Sequence, residues 1–79
     1  MEPTAINVTP LPDYQLRVTF DNGETRKFDV TPYLSYEWYG ELRDIRLFNA
    51  VRVAGLSIEW PNGQDIAPDC LYDNSVPIN

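Results

Sequence analysis

The chain has 79 residues, 43% of them hydrophobic and 13% aromatic, with twelve acids against six bases and a net charge of −6. A chain this short buries only roughly 60–65% of the surface it exposes when unfolded, so it has room for one core, and its apolar content is too high for disorder. Non-specific nucleic-acid binding is driven by counterion release at clustered cations, which this composition does not offer, so direct binding to DNA or RNA is not expected.

Every basic residue lies between Arg17 and Arg52, and Glu59, Asp65, Asp69 and Asp73 follow with no base among them. Solubility accounts for such a balance. The sharper reading is a docking face for a basic partner. Cys70 is the single cysteine and cannot form an intramolecular disulfide. Met1-Glu2-Pro3-Thr4 lacks the basic and apolar regions of a secretory leader, and no apolar run approaches the length of a membrane span. The expected setting is a reducing cytoplasm, away from membranes.

In chain order, Ile6-Asn7-Val8 alternates as a strand. Thr9-Pro10-Leu11-Pro12-Asp13 is expected to break the ladder, since proline has no N–H to donate. Tyr14-Gln15-Leu16-Arg17-Val18-Thr19-Phe20 then alternates strictly, which places Tyr14, Leu16, Val18 and Phe20 on one buried face. The next strand runs from Glu24 to Val30. A two-residue Asn22-Gly23 loop would put Phe28 and Val30 opposite Leu16 and Val18. A three-residue loop, Asp21-Asn22-Gly23, pairs Leu16 with Phe28 and gathers every apolar residue on one face. A one-residue slip inverts a whole strand, so burial selects the longer loop, with a type I turn and a left-handed glycine.

The second hairpin repeats this logic. A Pro61-Asn62-Gly63 loop pairs Ile58 with Ile66 and puts proline where a type I turn favours it. Upstream, Val51 and Val53 have one parity and Leu56, Ile58 and Trp60 the other. Ala54-Gly55 absorbs the change, either as a bulge or as a tight turn.

Between the hairpins, Thr31-Pro32 reads as an N-cap followed by proline at the first helical position, with Tyr33-Leu34-Ser35 continuing. Gly40 interrupts. Leu42, Ile45 and Phe48 then recur every three residues, which predicts short helical turns rather than one long helix. Asp69 to Tyr72 is read as a last short turn. The predicted architecture is α+β: a small antiparallel sheet of four or five strands from two hairpins, with a short, broken helical segment packed on one face. Residues 1–79 form a single domain, with an ordered core from about 6 to 72 and a tail, 73–79, that frays.

The chemistry is bounded mainly by what is missing. There is no histidine, which excludes Ser-His-Asp and Cys-His catalysis. One cysteine without histidine makes no ordinary zinc site, and no phosphate-binding or dinucleotide loop is present. No catalytic residue, metal or cofactor is therefore expected. Asp65 and Asp69 could act as paired carboxylates, but a turn position for Asp65 and a helix-capping role for Asp69 fit better. Asp29 reads as a hydrogen-bonding partner of the turn into Thr31-Pro32. Cys70 reads as a small buried apolar residue.

Tyr36-Glu37-Trp38-Tyr39 sits at the helix break, where a small domain has little room to bury three aromatics. Tyr and Trp are favoured interface anchors. A contact role is open here beside the alternative that they lid the core, and Trp60 at a hairpin tip poses the same choice. The candidate contact residues are Tyr36, Trp38, Tyr39, Trp60, Asp65 and Tyr72. A protein-interaction module, binding a partner or a second copy of itself, is the first reading. A small-ligand site lined by Trp60, Tyr72 and Asp65 is the alternative.

The order of motifs adds to this. Phe20-Asp21-Asn22-Gly23-Glu24, then Phe28-Asp29-Val30-Thr31-Pro32-Tyr33-Leu34, Leu42-Arg43-Asp44, Phe48, and Ile58-Glu59-Trp60-Pro61-Asn62-Gly63 with Asp65-Ile66 and Leu71-Tyr72 resembles the bacterial domain-of-unknown-function family 2442. The match runs from about Ile6 to Tyr72. The resemblance implies a small α+β domain, similar to the N-terminal domain of larger members that add a helix-turn-helix. The present sequence shows no such addition, so DNA binding is not expected to carry over. Members often look like partners of another small family, number 4160, in a two-gene arrangement suggestive of a toxin–antitoxin pair. Some carry a label from molybdopterin guanine dinucleotide synthesis, for which this sequence has no nucleotide-binding loop.

Overall fold

A computed structural model describes residues 2–78; Met1 and Asn79, the ends of the expected single domain, lie outside the described residues. Strand β1 spans Ala5–Leu11, β2 Gln15–Phe20 and β3 Thr25–Asp29. Leu16 faces Phe28 and Thr19 faces Thr25 across the β2–β3 hairpin, so its register is the one that burial selects. The amide of Phe20 donates to the Glu24 carbonyl at 2.8 Å, that of Gly23 donates back to Phe20 at 3.0 Å, and Gly23 has φ +90°.

The second hairpin is built in the same way. Strands β4 (Arg52–Ala54), β5 (Ser57–Glu59) and β6 (Asp65–Ile66) follow, with Ile58 opposite Ile66. Trp60 donates to Gln64 at 2.8 Å, Gly63 donates to Trp60 at 2.9 Å, and Gly63 has φ +100°. A Cβ added at Gly23 or Gly63 meets nothing within 4 Å, so alanine there is a purely backbone perturbation. Gly63→Ala and Gly23→Ala are each expected to lose about 1–2 kcal/mol, read from the urea midpoint at unchanged slope.

Ala54 pairs with Ser57, so the choice left open at Ala54-Gly55 resolves as a two-residue turn, Gly55-Leu56, with Gly55 at φ +56°. A left-handed glycine in first place is the hairpin turn that matches strand twist.

The α+β architecture is as expected, but the hairpins do not share one sheet. One sheet has the order β1-β2-β3-β7, where β7 is Val76–Pro77; the other is β4-β5-β6. Two further expectations change for physical reasons. Pro10 does not break the ladder: β1 continues through it, opposite Leu16, because an edge strand can turn a proline nitrogen outward. The tail does not fray within the described residues, since Ile78 donates to Thr25 at 2.9 Å and β7 pairs with β3. In β1 a bulge at Ile6 leaves that side chain exposed and turns Ala5 into the core.

Between β3 and β4 the chain makes two 3-10 turns, Thr31–Tyr33 and Gly40–Arg43, and one α-turn, α1 (Ile45–Phe48). Thr31 is not the N-cap; Val30 is, and Thr31 already lies inside the turn. The Asp29 carboxylate takes the Thr31 amide instead, at 2.9 Å. Leu42 and Phe48 are buried as the spacing predicts, but Ile45 is exposed. Asp44 is extended at ψ 112° and caps α1 through the Arg46 amide at 3.0 Å, which breaks the three-residue phase just before Ile45.

The last helix, α2, spans Pro68–Asp73. Its N-cap is Ala67, so Asp69 sits in the first turn rather than capping it, and accepts from the Cys70 amide at 2.8 Å. The core gathers Leu16, Val18, Phe20 and Phe28 from the first sheet, Ile58, Trp60 and Ile66 from the second, and Leu42, Phe48 and Leu71 from the helical turns. Asp13 and Tyr14 both adopt left-handed backbone, φ 64° and 60°. Tyr14 is held there from outside the turn: its hydroxyl donates to the Arg43 carbonyl and its ring meets Phe48 edge-on at 5.2 Å.

Candidate functional site

The turns from Val30 to Arg43 form a stair of backbone bonds, each amide reaching a carbonyl three residues back: Tyr36 to Tyr33 at 3.0 Å, Tyr39 to Tyr36 at 3.1 Å, Leu42 to Tyr39 at 3.0 Å. Side chains three apart eclipse in such geometry, so the tyrosines crowd onto one side. The rings of Tyr33 and Tyr39 meet edge-on at 5.3 Å, and Trp38 leans on Tyr39 at 5.0 Å. Of the ten aromatics only Tyr36 and Trp38 are exposed, at 62% and 53%.

Polar bonds fasten this stair to the body. The Tyr39 hydroxyl donates to the Asp65 carbonyl at 2.8 Å. Burial, reinforced by the Asp65 charge, pushes the Tyr39 hydroxyl above its ordinary 10.0. Gln64 is fully buried and its amide nitrogen donates to the Trp38 carbonyl at 3.1 Å and to Glu41 at 2.8 Å. Its Oε1 has no partner among the described residues. The Tyr33 hydroxyl lies 2.9 Å from the Cys70 Sγ, and burial first, then that contact, raises its pKa strongly.

Beside the stair, Phe28, Asp29, Pro32, Tyr33, Tyr36 and Asn74 line an open cleft of about 360 Å3. Asp29 Oδ1 accepts from the Thr31 amide at 2.9 Å and from Gln15 Nε2 at 2.7 Å. Partial burial pushes the Asp29 carboxyl up, but hydrogen bonding from the Thr31 side chain, then from its amide and from Gln15, outweighs it and holds the group below its ordinary 3.8. A second hollow of about 280 Å3 is lined by Leu56, Asp65 and Pro68 among others.

The chain matches, over residues 5–77, the family described as Protein of unknown function (DUF2442). It belongs to that family. No curated protein and no solved structure matches it. Family membership spans both hairpins and the stair between them, and so takes in every residue of the cleft.

In this DUF2442 chain the expected contact residues divide. Trp38 packs on Tyr39, while Tyr36, on the same run of turns, lines the cleft beside Tyr33. Trp60 does not join them: it is fully buried, its indole N–H donating to the Phe48 carbonyl at 3.0 Å, because it lies at the base of the exposed Pro61-Asn62-Gly63 loop with its ring packed against α1. A contact role for Trp60, and a ligand pocket lined by it, are thereby overturned. The Asp65 side chain is exposed while its carbonyl is taken by Tyr39.

Tyr72 belongs to a separate cluster. Its hydroxyl donates to Glu24 at 2.5 Å, its ring meets Phe20 edge-on at 5.1 Å, and the Arg26 guanidinium lies 4.5 Å above it. The bond from Tyr72 draws the Glu24 carboxyl below its ordinary 4.5, and the same bond raises the Tyr72 hydroxyl above 10.0. A lowered acid contributes stability above its unfolded pKa and loses it as pH falls through the folded value. A raised tyrosine contributes below about 10 and loses it as pH rises through the folded value. Tyr72→Phe should therefore differ in stability from the wild type by a constant amount from about pH 5 to 9, with the difference shrinking at both extremes. Urea titrations across pH read this directly, and parallel profiles throughout would break the assignment.

Among the described residues no group of three or more His, Cys, Asp or Glu side chains is placed to hold a metal ion. Among the same residues no helix is long and apolar enough to cross a membrane. The cleft was missed by sequence reading because its parts are remote. Only Asp29, set before Thr31-Pro32, carried a local signal.

Proposed function

We propose that this chain is a non-catalytic protein-interaction module, acting as one half of a two-component pair of the toxin–antitoxin kind or as a homodimer. One observation supports the reading above others. The chain buries Trp60 and all three phenylalanines almost completely, yet leaves Tyr36 and Trp38 in solvent, two residues apart on a stair of turns tied down by Tyr39 and Gln64. Large exposed aromatics on a fixed backbone fit interface anchors, since little ordering entropy remains to be lost on docking.

Removing both rings should leave the fold intact and weaken association. The double variant Tyr36→Ser, Trp38→Ser is expected to keep the wild-type unfolding midpoint within about 0.5 kcal/mol. Its affinity for the co-expressed partner, or for itself, should fall at least about tenfold. Native mass measurement and sedimentation give both the complex and its stoichiometry. A wild-type protein that is monomeric at high concentration and forms no complex with its co-expressed neighbour would overturn the reading.

A further inference from the structure

We propose that the cleft between β3, the stair of turns and the end of α2 receives the guanidinium of one arginine side chain from a protein partner. The proposal rests on the interaction-module reading and names what one part of that surface recognises. The walls are aromatic: Tyr33 and Tyr36 with Pro32, over a floor that includes Phe28, whose ring lies 5.7 Å from that of Tyr33 at 37°. Ring faces attract a cation held within about 6 Å of the centroid.

The charged group at the cleft is an acceptor. Asp29 takes the Thr31 amide and Gln15 on Oδ1 and has the Thr31 hydroxyl beside it, yet the carboxylate is exposed and has more lone pairs than these donors fill. Asn74 spends one N–H on the Cys70 sulfur at 3.3 Å and keeps its carbonyl oxygen. The Tyr33 hydroxyl is engaged with the same sulfur. No cation lines the cleft, and no ion pair to Asp29 forms among the described residues; Lys27, two residues along β3, acts on it only at longer range. An anion would meet the Asp29 carboxylate here. A planar cation with several N–H groups would find two oxygens and two ring faces, and arginine suits that set better than lysine because it both stacks and forks. A net charge of −6 draws a basic partner toward the surface from a distance.

The test uses the intact chain and blocked pentapeptides, Gly-Gly-Arg-Gly-Gly and its citrulline counterpart, followed by amide chemical shifts. The arginine peptide should shift the amides of Phe28 to Tyr36 and of Asn74 saturably. Citrulline has the same shape without the charge and should bind at least about tenfold more weakly. Asp29→Asn keeps an oxygen for the Thr31 amide and so keeps the turn; it and Tyr36→Ala should each reduce binding by at least about fivefold, with the remaining spectrum unchanged. Equal binding of the citrulline peptide, shifts mapping elsewhere, or no shifts at all would overturn the proposal. Free arginine binding as tightly as the peptide would overturn its partner-protein half, by making the site one for a small metabolite. Failure here with an intact Trp38-dependent complex leaves the module reading standing, whereas arginine binding without any such complex leaves only the cleft.

Discussion

Trp60→Ala is expected to lose about 3–5 kcal/mol. The indole has no exposed surface, its rings pack 6.2 Å from Phe48, and its N–H satisfies the Phe48 carbonyl at 3.0 Å. Truncation therefore opens a cavity where the second hairpin meets α1 and removes one of the two donors to the Phe48 carbonyl, which keeps only the Val51 amide at 3.3 Å. A chain of this size has on the order of 4–12 kcal/mol in all, so the variant should sit near the edge of its unfolding transition in water. Trp60→Phe retains most of the volume and loses the donor; roughly 1–2 kcal/mol is expected. Urea unfolding with near-ultraviolet dichroism reads both. Should Trp60→Ala cost less than the phenylalanine variant, the packing assigned to the indole is wrong.

The second large effect is at Arg26. Its side chain is only 13% exposed. Nε donates to Ser75 Oγ and Nη2 to the Ser75 carbonyl, both at 2.7 Å, and Nη1 lies 3.6 Å from Glu24. The half-exposed ion pair adds little. The paired bonds to Ser75 are charge-assisted and largely desolvated, so Arg26→Met should lose about 2–3 kcal/mol. Hydrogen exchange locates the damage: protection at Ile78 should collapse before that at Leu16 or Val18. Arg26→Lys keeps the charge without the fork and should recover less than half of the loss. A lysine variant indistinguishable from wild type would show that charge alone holds the tail.

Local signals carried the reading where the physics is local. Both three-residue loops follow from Leu16 facing Phe28 and from Pro61 having no N–H to give, and both registers are those expected. Parity at Ala54-Gly55 announced a break without its form, because a bulge and a turn shift parity alike. Trp60 was misjudged because a hairpin tip is ordinarily exposed; here α1 lies beneath it, and that placement depends on tertiary packing. Val76–Pro77 is too short a stretch to look like a strand in isolation. It becomes one by pairing with β3, next to a Ser75 that Arg26 holds in place. The cleft needs Phe28, Tyr33 and Asn74 together, and they meet only once α2 has docked.

The two prolines in the outer strands have a consequence for life in a concentrated solution. Ladder bonds alternate inward and outward along a strand. Ile78 spends its amide on Thr25, so the nitrogen of the preceding Pro77 faces the open side. Pro10 stands in the strand at the opposite border. Each rim of the four-stranded sheet thus lacks a donor where an incoming chain would need one, and the bulge at Ile6 bends one rim further out of line. A sheet so bordered resists end-to-end stacking with its own copies. Self-association at this sheet should then run through side chains rather than through an extended ladder.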